Sequence, residues 1–125
     1  MSVRRVVPNI PVAAGAGPDG EAGAMRANAA FYGLLGFEEV MNQGWIMTLA
    51  PPLEPTAQIS FMSADLTAPV TPDVSVEVAD VDAAHAALVH AGAEIVYGPQ
   101  DEEWGVRRFF VRDPNGRVIN VLSHR

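Results

Sequence analysis

The residues best equipped for chemistry lie in Asp73-Val74-Ser75-Val76-Glu77-Val78, where two carboxylates and a hydroxyl alternate with three valines. Period-two alternation makes this a strand with Asp73, Ser75 and Glu77 on one face and the valines packed under a helix. A carboxylate in a largely apolar setting either keeps its proton and donates a hydrogen bond, or stays ionised and pairs with a cation. For Glu77 that cation is either a ligand or a nearby basic residue, Arg107 or Arg108. No second acid–base group stands at a recognisable spacing from Glu77, so these residues define no catalytic pair.

The other chemically capable side chains are few. There is no cysteine, which removes disulfides, thiolate metal sites and cysteine nucleophiles together. His85 and His90 are five residues apart on a helical pattern, so they point to different faces and read as solvated surface residues rather than a metal-binding pair. His124, close to the C-terminus and in phase with Asn120, is either a cavity-rim residue or simply exposed. Trp45 and Trp104 each stand at the entry to a strand. They either stack a planar ligand at the mouth of a cleft or belong to the core. Met47, Phe61, Met62, Phe109 and Phe110 are an apolar supply for lining such a cleft.

These residues must be positioned by a duplicated scaffold. Leu35-Gly36-Phe37-Glu38-Glu39-Val40 returns as Ala91-Gly92-Ala93-Glu94-Ile95-Val96, each copy between a helix-like and a strand-like stretch. A period of roughly 55 residues in a chain of this length means two copies of one supersecondary unit, neither long enough to bury a core alone. The tryptophans sit at matching places in the two copies.

In the first copy, Val3 to Val12 reads as a strand, demoted by Pro8 and Pro11 to an edge or to a segment whose amides face away from a partner. Ala13 to Gly20 is a loop. Met25, Ala29, Tyr32 and Leu35 mark a helix over Glu21–Leu35, closed by Gly36. Strands follow at Phe37–Met41, Trp45–Leu49 and Ala57–Met62.

The second copy opens with the strand Asp73–Val78. Asp80 can cap a helix whose apolar stripe is Val81, Ala84, Leu88 and Ala91, with Gly92 ending it. Strands at Glu94–Tyr97, Val106–Arg112 and Arg117–Ser123 complete the unit. The last two are joined by Asp113-Pro114-Asn115-Gly116, a sequence suited to a type I turn. Both copies therefore read βαβββ. Module one is 1–64, a linker spans 65–72 and module two is 73–125 of one domain.

Composition excludes further classes. With 49% hydrophobic and 18% charged residues the chain is ordinary for a globular domain, and no apolar run reaches the ~18 residues of a membrane span. A net charge of −7 and a pI near 4.7 argue against nucleic acid and leave solubility or capture of cations as the meaning of the acidic excess. Pro8, Asn9 and Pro11 interrupt the only stretch that looks faintly like a secretory leader, so a cytoplasmic location is expected.

Tandem βαβββ units, Phe31-Tyr32 ahead of Leu35-Gly36-Phe37, the stretch Val78-Ala79-Asp80-Val81-Asp82-Ala83-Ala84 and Asp113-Pro114-Asn115-Gly116 before a final strand together resemble the vicinal oxygen chelate superfamily. This is the group of glyoxalase I, extradiol dioxygenases and the fosfomycin- and bleomycin-resistance proteins. The series Trp104-Gly105-Val106-Arg107-Arg108-Phe109-Phe110-Val111-Arg112-Asp113-Pro114 looks most like its antibiotic-binding branch.

The resemblance implies an α+β fold in which tandem βαβββ modules form a curved, half-open mixed sheet barrel with helices outside and a site on the concave face. Enzymatic members hold a divalent metal there. By the same resemblance Asp73 falls where a ligand histidine usually stands and Asn120 where the final ligand glutamate stands, with Val7 and Ser60 at the corresponding places of module one. Valine, serine, aspartate and asparagine are a poor ligand set for zinc, iron or nickel.

The expectation is a homodimeric, metal-free and cofactor-free protein that sequesters an aromatic or cationic, antibiotic-like small molecule in the inter-module cleft. Its ligand-binding residues are Trp45, Ser60, Asp73, Glu77, Trp104, Arg107 and Asn120, none of them catalytic. An enzyme of the same superfamily with a substituted metal site, and a structural dimer with a vestigial cleft, are the alternatives.

Overall fold

The computed structural model describes residues 2–12 and 20–125. The loop expected at Ala13–Gly20 lies outside them up to residue 19, and Gly20 opens a helix. The elements run β1 (Val3–Pro11), α1 (Gly20–Gly33), β2 (Glu38–Asn42), β3 (Ile46–Ala50), β4 (Ile59–Met62), β5 (Val74–Val78), α2 (Val81–His90), β6 (Ile95–Asp101), β7 (Val106–Arg112) and β8 (Val118–His124). This is βαβββ twice, and an α+β fold.

The chain divides into two compact units, Val7–Thr71 and the residues up to Val6 together with Pro72–Arg125. Strand order is β2-β3-β4-β1 in the first and β5-β8-β7-β6 in the second, and the start of β1 borders β5. The eight strands make a mixed, open sheet with β2 and β6 at its edges. Of the two readings of the β1 prolines, an edge or a segment whose amides face away from a partner, the strand order excludes the first and leaves the second. The ladder of β1 with β4 begins at Asn9, just past Pro8, so that pairing asks no N–H of the proline.

In the first unit α1 lays Met25 on Met47, Leu49 and Phe61, with Ala29, Tyr32 and Ile59 packed around them. Tyr32 tilts against Phe61 at 5.1 Å between ring centroids. Leu35, expected on this stripe, is 69% exposed. The helix ends at Gly33, so Leu35 belongs to the closing turn and swings off the apolar line. Gly36, at φ +102°, supplies the left-handed residue that directs the chain into β2.

In the second unit Asp80 caps α2, its Oδ1 accepting from the Ala83 N–H at 3.0 Å. The helix buries Val81 and Ala84 against Val78, Phe109, Val111 and Val121. The Asp113–Gly116 turn closes through the Gly116 N–H to the Asp113 carbonyl at 3.0 Å, and the Asp113 side chain accepts from the Asn115 and Arg117 amides. Its carboxyl is held below the ordinary range, first by the Arg117 amide.

β6 runs on through Gly98 and Pro99, where turn-forming residues suggest a break. It accommodates them by register shifts on either side of Tyr97.

Candidate functional site

The helices sort every strand residue to one of two sides. In the second unit Val76, Val78, Phe109, Val111, Ile119 and Val121 lie on the α2 side. Alternation then puts Ser75 and Glu77 of β5, Asn120, Leu122 and His124 of β8, and Arg108 and Phe110 of β7 on the opposite side. The ladders confirm the rows: Ser75 pairs Asn120, which pairs Phe110, while Glu77 pairs Leu122, which pairs Arg108.

Glu77 is engaged. Arg5 Nε lies 3.0 Å from Oε1 and His124 Nδ1 3.0 Å from Oε2, with the Glu77 side chain only 16% exposed. Neither Arg107 nor Arg108 is its partner. Arg107 lies on the α2 side, held by Asp82 at 3.0 Å and Asp101 at 3.1 Å, and so does not share a face with Glu77.

Arg108 has the right parity but is captured by Glu102 at 3.1 Å, its guanidinium against the rings of Tyr97, Trp104 and Phe110. Glu102 Oε1 also accepts from the Tyr97 hydroxyl at 2.6 Å. Burial, then the hydrogen bond to this carboxylate, push the Tyr97 pKa up. Arg108 opposes that rise. This cluster of a buried ion pair with three rings was not assembled from the sequence, though each of its residues except Tyr97 and Glu102 had drawn attention there.

Asp73 precedes β5 and works as a backbone clamp. Its amide donates to the Val118 carbonyl and its Oδ2 accepts from the Val118 N–H, at 2.8 and 2.9 Å. Asn120 is 6% exposed and donates from Nδ2 to Ser75 Oγ at 3.1 Å. Its Oδ1 is buried with no hydrogen-bond partner. An unmatched buried amide oxygen costs roughly 1–3 kcal/mol, and that deficit is what a donor brought by a ligand would recover.

In the first unit Ser60 pairs Asn9 on β1 and Thr48 on β3, and its hydroxyl bonds Thr48 Oγ1 at 2.7 Å. All three are buried, on the side away from α1. Val7, also buried, shares that side of β1.

Trp45 is half-buried just before β3, and Trp104 is 51% exposed with Arg108 against its ring. Of the apolar supply, Met47, Phe61 and Phe109 are core residues under the helices, while Met62 and Phe110 face the other way. His85 is not merely solvated: its ring meets Phe109 edge-on at 5.1 Å.

The donor set at Val7, Ser60, Asp73 and Asn120 does not fit a divalent metal. The valine offers nothing, the serine is bonded to Thr48, the aspartate is bonded to the Val118 amide, and the asparagine is neutral. No group of three or more His, Cys, Asp or Glu side chains that could hold a metal occurs among the described residues.

A groove of about 790 Å³ opens on the α2 side, lined by Val76, Leu88, Ala91, Val111 and Ile119 among others. It contains none of the seven expected site residues.

Residues 22–121 match the model of the Glyoxalase/Bleomycin resistance protein/Dioxygenase superfamily, and the chain belongs to that superfamily. The fold is similar to a superfamily member from Vibrio splendidus 12B01, at 16% identity and TM-score 0.65 over 98% of this chain and 99% of that one. It is also similar to methylmalonyl-CoA epimerase from Mycobacterium tuberculosis, at 18% identity and TM-score 0.61, covering 98% and 87% of the two chains. A structure described as NAD-dependent benzaldehyde dehydrogenase from Legionella pneumophila matches at 13% identity and TM-score 0.63, covering 96% and 97%. At these identities the likeness is one of fold. Comparison with curated proteins gives no significant match.

Proposed function

We propose that the chain binds a small aromatic or cationic organic molecule without a metal, in the manner of the superfamily's antibiotic-sequestering members, on the face formed by β5, β8 and β7 opposite α2. The observation that carries this reading is Asn120. By the superfamily resemblance it falls where enzymatic relatives place a ligand carboxylate, and here it is a buried neutral amide whose oxygen lacks a donor. A buried unsatisfied acceptor suits recognition of an O–H or N–H group better than it suits Lewis-acid chemistry. The half-exposed Trp104 ring adds a planar surface beside Arg108 and Phe110.

The geometry alters the roles of the other candidates. Asp73 is tied to Val118, Arg107 to Asp82 and Asp101, and Glu77 to Arg5 and His124, which leaves Asn120 and Trp104 as the ligand-facing set in this unit. A thermal-shift screen with planar aromatic amines tests the reading. A compound at one hundred times its dissociation constant adds about 2.7 kcal/mol of stability. Asn120→Leu is expected to abolish that shift without lowering the melting temperature of the free protein by more than a few degrees, since removal of the unmatched oxygen offsets loss of the hydrogen bond to Ser75. No stabilisation by any member of the panel contradicts the reading.

A further inference from the structure

The groove of about 790 Å³ on the α2 side falls in the range of roughly 300–1,000 Å³ usual for small-molecule sites, and the composition of the helix creates it. α2 is anchored by Val81 and Ala84 on Phe109, Val111 and Val121. Along the groove it presents Ala84, Ala87 and Ala91, spaced by three and four residues on one side of the helix. Methyl groups reach too little of the sheet to cover it, so Val76 of β5 and Ile119 of β8 stay half-buried at the floor. From Ala84 to Ala91 this apolar wall runs about 10 Å, at about 1.5 Å per residue.

Charge is confined to one end of the groove. There Glu94, Arg112 and Asp113 line it beside the C-terminal end of α2. Arg112 is already committed: Nε lies 3.3 Å from Glu94 Oε2, and Nη1 donates to the Gly116 carbonyl at 3.0 Å. Asp113 stays ionised at neutral pH, because the Arg117 and Asn115 amides hold its carboxyl below the ordinary range. Arg117 itself reaches toward Asp73, at 3.8 Å, and does not line the groove. Two carboxylates against one guanidinium leave a negative mouth, and the partial negative charge at the end of a helix adds to it.

We propose that this groove is a binding site for an amphipathic amine, its aliphatic body laid along α2 and its ammonium group at Glu94 and Asp113. The site lies on the other side of the sheet from the face described under the proposed function, and the two stand or fall separately. An anionic amphiphile of the same length meets the same apolar walls and a repelling mouth, whereas a neutral one meets the walls alone.

Methyl NMR titration of the whole protein with n-octylammonium, n-octanol and n-octanoate tests this, the octyl tail matching the length of the groove. Saturable shifts are expected in the Val76, Ala87, Ala91 and Ile119 methyls, with octylammonium bound roughly tenfold more tightly than octanoate and octanol between them. The Glu94 side chain is 65% exposed, so Glu94→Gln removes charge without disturbing the core. That variant is expected to bring octylammonium and octanoate to within about threefold of each other. Ala87→Phe, which fills the groove from the exposed side of the helix, is expected to weaken all three probes. Octanoate bound as tightly as octylammonium by the unmodified protein, shifts that map away from the groove, or no saturable shift with any probe overturns the proposal. So does a dependence of these methyl shifts on protein concentration in the absence of probe, which places a second copy of the chain in the groove.

Discussion

Glu77 and Arg5 form an ion pair that water barely reaches. Their side chains are only 16% and 25% exposed, so breaking the pair leaves a poorly hydrated cation behind. Glu77→Gln is expected to lower stability by about 1–3 kcal/mol, read from the urea midpoint at unchanged slope. Arg108 is more deeply placed, at 2% exposure against Glu102 at 10%. Arg108→Leu strands a buried carboxylate and is expected to cost about 3–5 kcal/mol.

Tyr97 reports on the same cluster. Its pKa is raised above 10.0, so the stability it contributes is complete below that pH and lost as pH rises through the folded-state value. Ultraviolet titration should show Tyr97 ionising above the ordinary tyrosine range, and later still in Arg108→Leu. The sequence made an arginine partner for Glu77 legible in kind. The partner is Arg5, brought alongside by β1, because strand parity sends Arg107 to the helix side and Glu102 holds Arg108.

At the scale of elements the duplicated pattern carries most of the information. Gly36 and Gly92 end their helices at φ +102° and +83°, Asp80 caps α2, and β7 spans Val106–Arg112, all as periodicity and capping chemistry indicate. Legibility fails where tertiary pairing overrides local signals: Leu35 leaves its stripe, and β6 persists through Gly98-Pro99.

Gly98 gives that strand a sharp test. A Cβ there would stand 2.6 Å from the Arg108 carbonyl oxygen at φ +78°, whereas one at Gly92 would meet nothing within 4 Å. Gly98→Ala is therefore expected to cost about 2–4 kcal/mol and Gly92→Ala only about 1 kcal/mol, compared by denaturant unfolding. The Asp113 turn has the opposite pH sense to Tyr97. Its depressed carboxyl contributes stability above pH 3.8 that is lost as pH falls through the lower folded-state value, and Asp113→Asn should flatten the acid limb of the melting curve.

For the whole molecule, the superfamily was readable from the order and spacing of motifs that are individually weak, because two βαβββ units leave few arrangements open. The roles of the residues in the proposed ligand-facing set were less readable. Whether Asp73 serves the backbone or a ligand depends on the Val118 amide, and that register is fixed by the ladder rather than by the residue type.

Binding without metal is the property that separates the proposed role of this chain from metal-dependent catalysis. The most direct test is calorimetric titration of chelator-treated protein with an aromatic amine from the thermal-shift panel, repeated after addition of zinc, manganese, nickel or ferrous iron. Saturable binding of the same affinity is expected in every case, with less than about a tenth of an equivalent of metal retained. Binding that appears only once a metal is restored, with the ion held stoichiometrically, would contradict it.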